Sequence, residues 1–245
     1  MLDRRGFVRS GGISLLALGI RHDVGIFWQE PKLDLPDGIG TRADYAGPVP
    51  AGRLGTKKPL PPEEQVAADI VARAPKAGSP YDVAKFFLDV GNGKFDPTWV
   101  PFVSGWPERW NPVIVEFFNA TGTVPRGDTT PWCAAFVNWC FLRGTNSPAT
   151  TNASSGSFRC FGSSTVRPHP GDIVVFRRKD STEECMGKGH VGFFVSEDKE
   201  SVEVLGGNQI ASQDQCHRIS SKRIPKKGSV LEFHSFRAIN GPGNR

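Results

Sequence analysis

Apolar residues recur at helical spacing through the middle of this chain and gather into short β-branched and aromatic runs toward its end. Between 63 and 74, Val66, Ile70 and Val71 form one stripe. Pro61 and Pro62 stand at its entrance, Glu63 and Glu64 suit the positive end of a helix, and Pro75 stops it. A second helix is predicted after Ser79, a capping residue followed by Pro80, with Val83, Phe86, Phe87 and Val90 on one face until Gly91. Asn111 and Pro112 repeat the same start signal before Val113, Ile114, Phe117 and Phe118. A fourth helix opens at Pro131 and runs through Cys140, PWCAAFVNWC.

Downstream the texture changes. Asp172 to Arg177 (DIVVFR), His190 to Val195 (HVGFFV), Ser201 to Leu205 (SVEVL) and Ser229 to Phe236 read as strands separated by glycine and charged turns. Helices followed by strands predict an α+β domain. The polar stretch from Thr145 to Ser157 reads as a surface loop, and Trp99, Phe102, Trp106 and Trp110 fall in a proline-broken segment. Aromatic faces there suit either core packing or stacking on sugar rings.

The 245 residues suit one domain with an N-terminal extension. Residues 31–62 carry Pro31, Pro36, Pro48, Pro50, Pro59, Pro61 and Pro62 without a sustained apolar period, the texture of a linker. Before them, Arg4, Arg5, Gly6, Phe7, Val8 and Arg9 form a twin-arginine pattern ahead of a short apolar run from Ile13 to Ile20. That arrangement predicts export, and the run is too short to span a membrane. A net charge of +5 favours contact with anionic polymers. The basic cluster Lys222, Arg223, Lys226 and Lys227 lacks the interleaved aromatics of a single-strand binder, so no nucleic-acid partner is expected.

Five cysteines leave one over if four pair. Cys133 lies in the first turn of its helix, where unpaired amides and the helix dipole favour a thiolate and where the same amides could serve an oxyanion. The same residue would also suit a plain buried position. His190, at the start of an apolar strand, is the best-placed base, with His234 in reserve. An orienting acceptor is then needed, and Asn208 in Gly206-Gly207-Asn208-Gln209 is the candidate amide, although the run equally describes a turn. No C-x-x-C or H-x-x-x-H spacing suggests zinc, and neither metal nor cofactor is expected.

Taken together, PWCAAFVNWC, then PGDIVVF at 170–176, GHVGFFV at 189–195 and VLGGNQ at 204–209 resemble the CHAP amidohydrolase and peptidase family, related to NlpC-type wall enzymes. The resemblance implies a papain-like core, with the nucleophile's helix packed on a small antiparallel sheet. It also implies Cys133 as nucleophile, His190 as base, Asn208 as third polar member, and peptidoglycan or its fragments as substrate. A wall-binding module without activity and a hydrolase of non-wall amides stay open as alternatives. The chain departs from the family texture at Phe158 to Phe161 (FRCF) and in an insert from Lys179 to Lys188. Cys140, Cys160, Cys185 and Cys216 could form two disulfides in any of three pairings. The chain is thus expected to comprise a Tat-type export signal at 1–30, a linker at 31–62, a helical part of the domain at 63–125 and a CHAP-like cysteine hydrolase domain at 126–240.

Overall fold

A computed structural model of the chain describes residue 55 and residues 57–210 and 216–239. The expected export signal and most of the expected linker lie outside the described residues. The first helix, α1 (Pro61–Arg73), takes up the last two residues of the stretch read as linker. Just before it, Lys57 bridges Arg109 in parallel. The Glu63 carboxylate accepts from the Leu60 amide at 2.6 Å and closes the helix's open N-terminus. Helix α2 (Pro80–Gly91) is capped by Ser79 Oγ, which accepts from the Asp82 amide at 3.0 Å. Helix α3 (Pro112–Glu116) is capped by Asn111 Oδ1, which accepts from the Val113 amide at 2.9 Å, and runs on as a 3-10 turn over Phe117–Ala120.

Helix α4 (Cys133–Thr145) is the centre of the fold, with every residue from Cys133 to Phe141 buried. A helix apolar on all sides needs partners all round. On one flank Phe87 and Phe117 meet edge-on at 5.2 Å between centroids and both contact Trp139. On the other lies the sheet. Asn146 ends the helix in the left-handed conformation, at φ 62°.

Six antiparallel strands follow: β1 (Ser163–Thr165), β2 (Ile173–Arg178), β3 (Gly189–Glu197), β4 (Ser201–Ile210), β5 (His217–Pro225) and β6 (Leu231–Ala238). Their spatial order is β1-β6-β2-β3-β4-β5. Alternation divides the sheet into two faces. Ile173, Val175, Val191, Phe193, Leu205 and Ile219 join the helices in one core. Val174, Phe176, Phe194, Val202, Val204 and Phe236 form a smaller apolar layer of their own. Both faces are therefore apolar over β2 and β3, which is why those strands read as unbroken hydrophobic runs.

The α+β class is as expected, and four of the six strands fall where the sequence predicts them, with shifted ends. Two expectations are corrected. The stretch 145–157 is not a surface loop, because Ala153, Ser154, Ser155 and Gly156 are buried. The reason is Asn138, a buried amide on α4 that needs partners. Its Oδ1 accepts from the Thr150 amide at 2.7 Å and its Nδ2 donates to the Asn152 carbonyl at 3.0 Å, drawing the segment onto the helix. The aromatic segment is also built into the body. Trp110 is buried, and Asp128 Oδ2 accepts from the amides of Trp106 and Asn111 at 2.8 and 3.0 Å. Among the described residues, no helix is long and apolar enough to cross a membrane.

Candidate active site

Cys133 is the first residue of α4 and is only 1% exposed. Nearby backbone amides, chiefly those of Val191 on β3 and Ala134 in the same turn, act to lower its pKa. The helix-start amides favour a thiolate as expected, but burial outweighs them and pushes the thiol up to about 11. The expected stabilised thiolate is therefore not the resting form.

His190 lies opposite Phe176 in the β2–β3 register, so its side chain belongs to the sheet face of Val204 and Gly206. It is 4% exposed. Burial, and next the positive charge of Lys222, hold its pKa down to about 4, while the Gln209 side chain acts the other way. Thiol and imidazole are both uncharged at neutral pH.

Beside the ring, across Gly206, stands the side chain of Gln209. A bulge interrupts the β4–β5 ladder between Gly206 and Gln209, and Asn208 sits in it with φ 59°. The turn character of Gly-Gly-Asn is thereby realised inside a strand. Asn208 is buried, its carbonyl lies 3.4 Å from His217 Nδ1, and its Nδ2 has no partner among the described residues. The bulge shifts the alternation by one position and sends Gln209 back over Gly206. A Cβ on Gly206 would stand 3.2 Å from Gln209 Nε2 and 3.4 Å from His190 Nε2. Gly207, on the other face, lies against Trp132 and Phe136 of the nucleophile's helix start. These two glycines let β4 come close to both site residues.

The other histidines stand apart from this arrangement. His234 is exposed on β6 and shares a 2.9 Å hydrogen bond with Ser235 Oγ. His169 is exposed before β2. His217 is buried on β5.

The two departures noted in the sequence meet in space. Cys160, in FRCF, and Cys185, in the 179–188 insert, form a disulfide. Arg159 donates to the carbonyls of Glu183 and Lys188 at 2.5 and 2.7 Å. Ser154 Oγ donates to the Gly187 carbonyl at 2.8 Å. These bonds hold the backbone that leads directly into Gly189 and His190. Cys140 is unpaired and Cys216 Sγ donates to the Gly105 carbonyl at 3.1 Å, so one disulfide forms where two were envisaged.

A buried cysteine opens a helix that packs on an antiparallel sheet, and strand β3 of that sheet carries a buried histidine. Residues 125–208 match the family model of the CHAP domain. CHAP domains are typically amidohydrolases or peptidases that act on peptidoglycan. The match ends at Asn208, one residue before Gln209. No curated protein matches the chain.

Proposed function

We propose that this protein is a cysteine-dependent peptidoglycan hydrolase, an amidase or endopeptidase, with Cys133 as nucleophile and His190 as general base. The observation that carries the reading is the buried Cys133 thiol opening α4 over a sheet whose strand β3 carries the buried His190, inside the segment matching the CHAP domain. A neutral imidazole is the form that can take the thiol's proton.

In this mechanism His190 receives the proton as the Cys133 sulfur attacks the carbonyl carbon of the scissile amide. Negative charge then develops on the carbonyl oxygen, and the free amides of the first turn of α4 are the donors at hand to meet it. The C–N bond breaks as His190 returns the proton to the leaving amine. Water, deprotonated by His190, then attacks the thioester and releases the acid and the free thiol. An amide at the end of β4 is the candidate to orient the ring: Asn208 by family resemblance, or Gln209, which stands across Gly206 from the ring.

Export to the wall accompanies this reading. It is supported by the twin-arginine pattern and by the Cys160–Cys185 disulfide, a bond typical of oxidising compartments. The test is mass spectrometry of purified peptidoglycan after incubation with the wild-type chain and with Cys133→Ala. Soluble fragments with new amine and carboxyl ends are expected from the wild type alone, and their masses identify the bond. Intact wall with both proteins would sink the hydrolase reading, and equal digestion by both would sink the nucleophile.

A further inference from the structure

We infer that the outer edge of β5, where it faces the end of α2, is a second binding site that takes a short extended wall peptide carrying a free amine and a free carboxylate. Strand β5 closes one side of the sheet, and only its beginning is covered. There the Gly105 amide donates to the His217 carbonyl at 2.8 Å, and Ser104 bridges Arg218 in antiparallel register. Past that bridge no described strand pairs with this edge, although β5 continues to Pro225. Backbone groups alternate in direction along an antiparallel strand. The His217 carbonyl points away from β4, so the backbone groups of Ile219 and Ser221 do as well, and Ser221 is exposed.

The chain surrounds this open stretch without filling it. A cavity of about 450 Å³ lies between the end of α2, the 3-10 turn Pro97–Val103 and residues 218–221 of β5. Leu88, Val100 and Val103 give it apolar walls, while Asn92, Ser104 and Ser221 add polar groups. Its size is that of an ordinary small-ligand site. A Cβ on Gly91, the last residue of α2, would stand 3.0 Å from Val103 Cγ2 and 3.9 Å from the Ile219 carbonyl oxygen. The bare α-carbon thus lets the helix end close on both the turn and the strand edge.

An open edge offering N–H and C=O at strand spacing recognises a peptide backbone, not a sugar. One extended residue of the guest exchanges both bonds with Ser221, so its neighbours can be of either hand, as they are in wall peptides. Charges at the two ends of the stretch fit a guest of both signs. Arg218 is the one charged residue among those lining the cavity, and beside Ser221 the Glu203 carboxylate accepts from Ser221 Oγ at 2.9 Å. A guest carboxylate is drawn to the first and a guest ammonium to the second. A second copy of this chain fits poorly, because edge-to-edge pairing would bring Lys222 and Arg223 of both copies together. Ser220 pairs with Gly206, the residue flanking His190, which puts the site two strands from β3, about 10 Å by strand spacing. That distance suits an anchor for a peptide neighbouring the one that is cut in a cross-linked wall, and this choice of guest rests on the wall-hydrolase reading.

The experiment is 1H–15N NMR with calorimetry on the full chain carrying Cys133→Ala, titrated with the sugar-free stem tetrapeptide of the wall and with the same peptide acetylated and amidated. Amide shifts are expected at Ile219, Ser221 and Asn92, with binding weakened about tenfold when both charges are blocked. Adding Ser221→Pro removes the outward N–H at an edge position that tolerates proline, and adding Asn92→Trp, at an exposed position, fills the mouth of the cavity if Ser221→Pro does not fold. Each is expected to weaken binding about tenfold. In chains with Cys133 intact, the same two substitutions should raise KM on the wall and leave kcat unchanged. Shifts confined to the surroundings of Cys133 and His190, equal affinity for the blocked peptide, unchanged affinity in both variants, or no saturable binding would overturn the inference. Binding is measured without catalysis, so a wrong nucleophile would leave this result standing, and an empty edge would leave the hydrolase standing.

Discussion

Lowering the pH from neutrality forces a proton onto His190, a buried imidazole held at about 4 against an ordinary 6.5. The groups that act on it are Lys222 from β5, which repels the added charge, and Gln209 from β4, which is neutral. The folded pKa is depressed, so the unfolded chain binds more protons between the two values. Stability tied to the neutral ring is complete above about 6.5 and is lost as the pH falls through about 4. A shift of this size corresponds to a loss of about 2 kcal/mol by pH ~5 and about 3 kcal/mol by pH ~4.

Urea unfolding of the wild type and of His190→Gln, measured across that range, isolates the histidine. Asp198, held at about 2, and the other carboxylates with lowered pKa, such as Asp180 and Glu232, destabilise both proteins alike as they protonate. Their effect cancels in the difference. The wild type is expected to lose about 3 kcal/mol more than the variant on going to pH ~4. Equal losses would refute the reasoning. So would a histidine that stabilises the fold on protonation, which is what a resting thiolate–imidazolium pair would produce.

Other outcomes are equally specific. Replacing Cys160 and Cys185 by serine removes a bond that spans 25 positions, and chain-entropy arguments put the destabilisation at about 3 kcal/mol. Thermal unfolding with and without a reductant should show the wild type falling to the level of the double variant, which itself should not respond. Gly207→Ala would place a Cβ 2.4 Å from the Trp132 ring and 3.0 Å from Phe136 Cβ. Overpacking of that kind costs about 1–3 kcal/mol, so a variant as stable as the wild type in urea would show that β4 does not press on the helix start as described.

Local chemistry made much of this fold legible in the sequence. Ser79 and Asn111 cap helices because their side chains satisfy nearby amides, and proline starts α1, α2 and α3 at positions where no amide is needed. Cys133 was legible for the same reason: a helix opening after Pro131 puts it in the first turn. What stayed hidden depended on distant partners. Strand β5 is an edge strand with few buried positions and a polar sequence, so it shows no apolar run. The burial of 153–156 arises from Asn138, a residue on another element. The thiol's raised pKa reflects the depth of α4 in the core, which a first-turn argument does not contain. The place of Gln209 beside His190 was hidden because one bulge residue shifts the side-chain alternation along β4.

The central claim is that Cys133 forms a covalent acyl intermediate on a wall peptide, and intact-protein mass spectrometry tests it directly. The full chain is mixed with solubilised peptidoglycan fragments and quenched in acid within the first turnovers. The account predicts an added mass equal to the acyl part of a fragment, mapped to the Cys133 peptide and absent in Cys133→Ala. Release of cleaved fragments by Cys133→Ala at the wild-type rate, with no adduct on either protein, would contradict it.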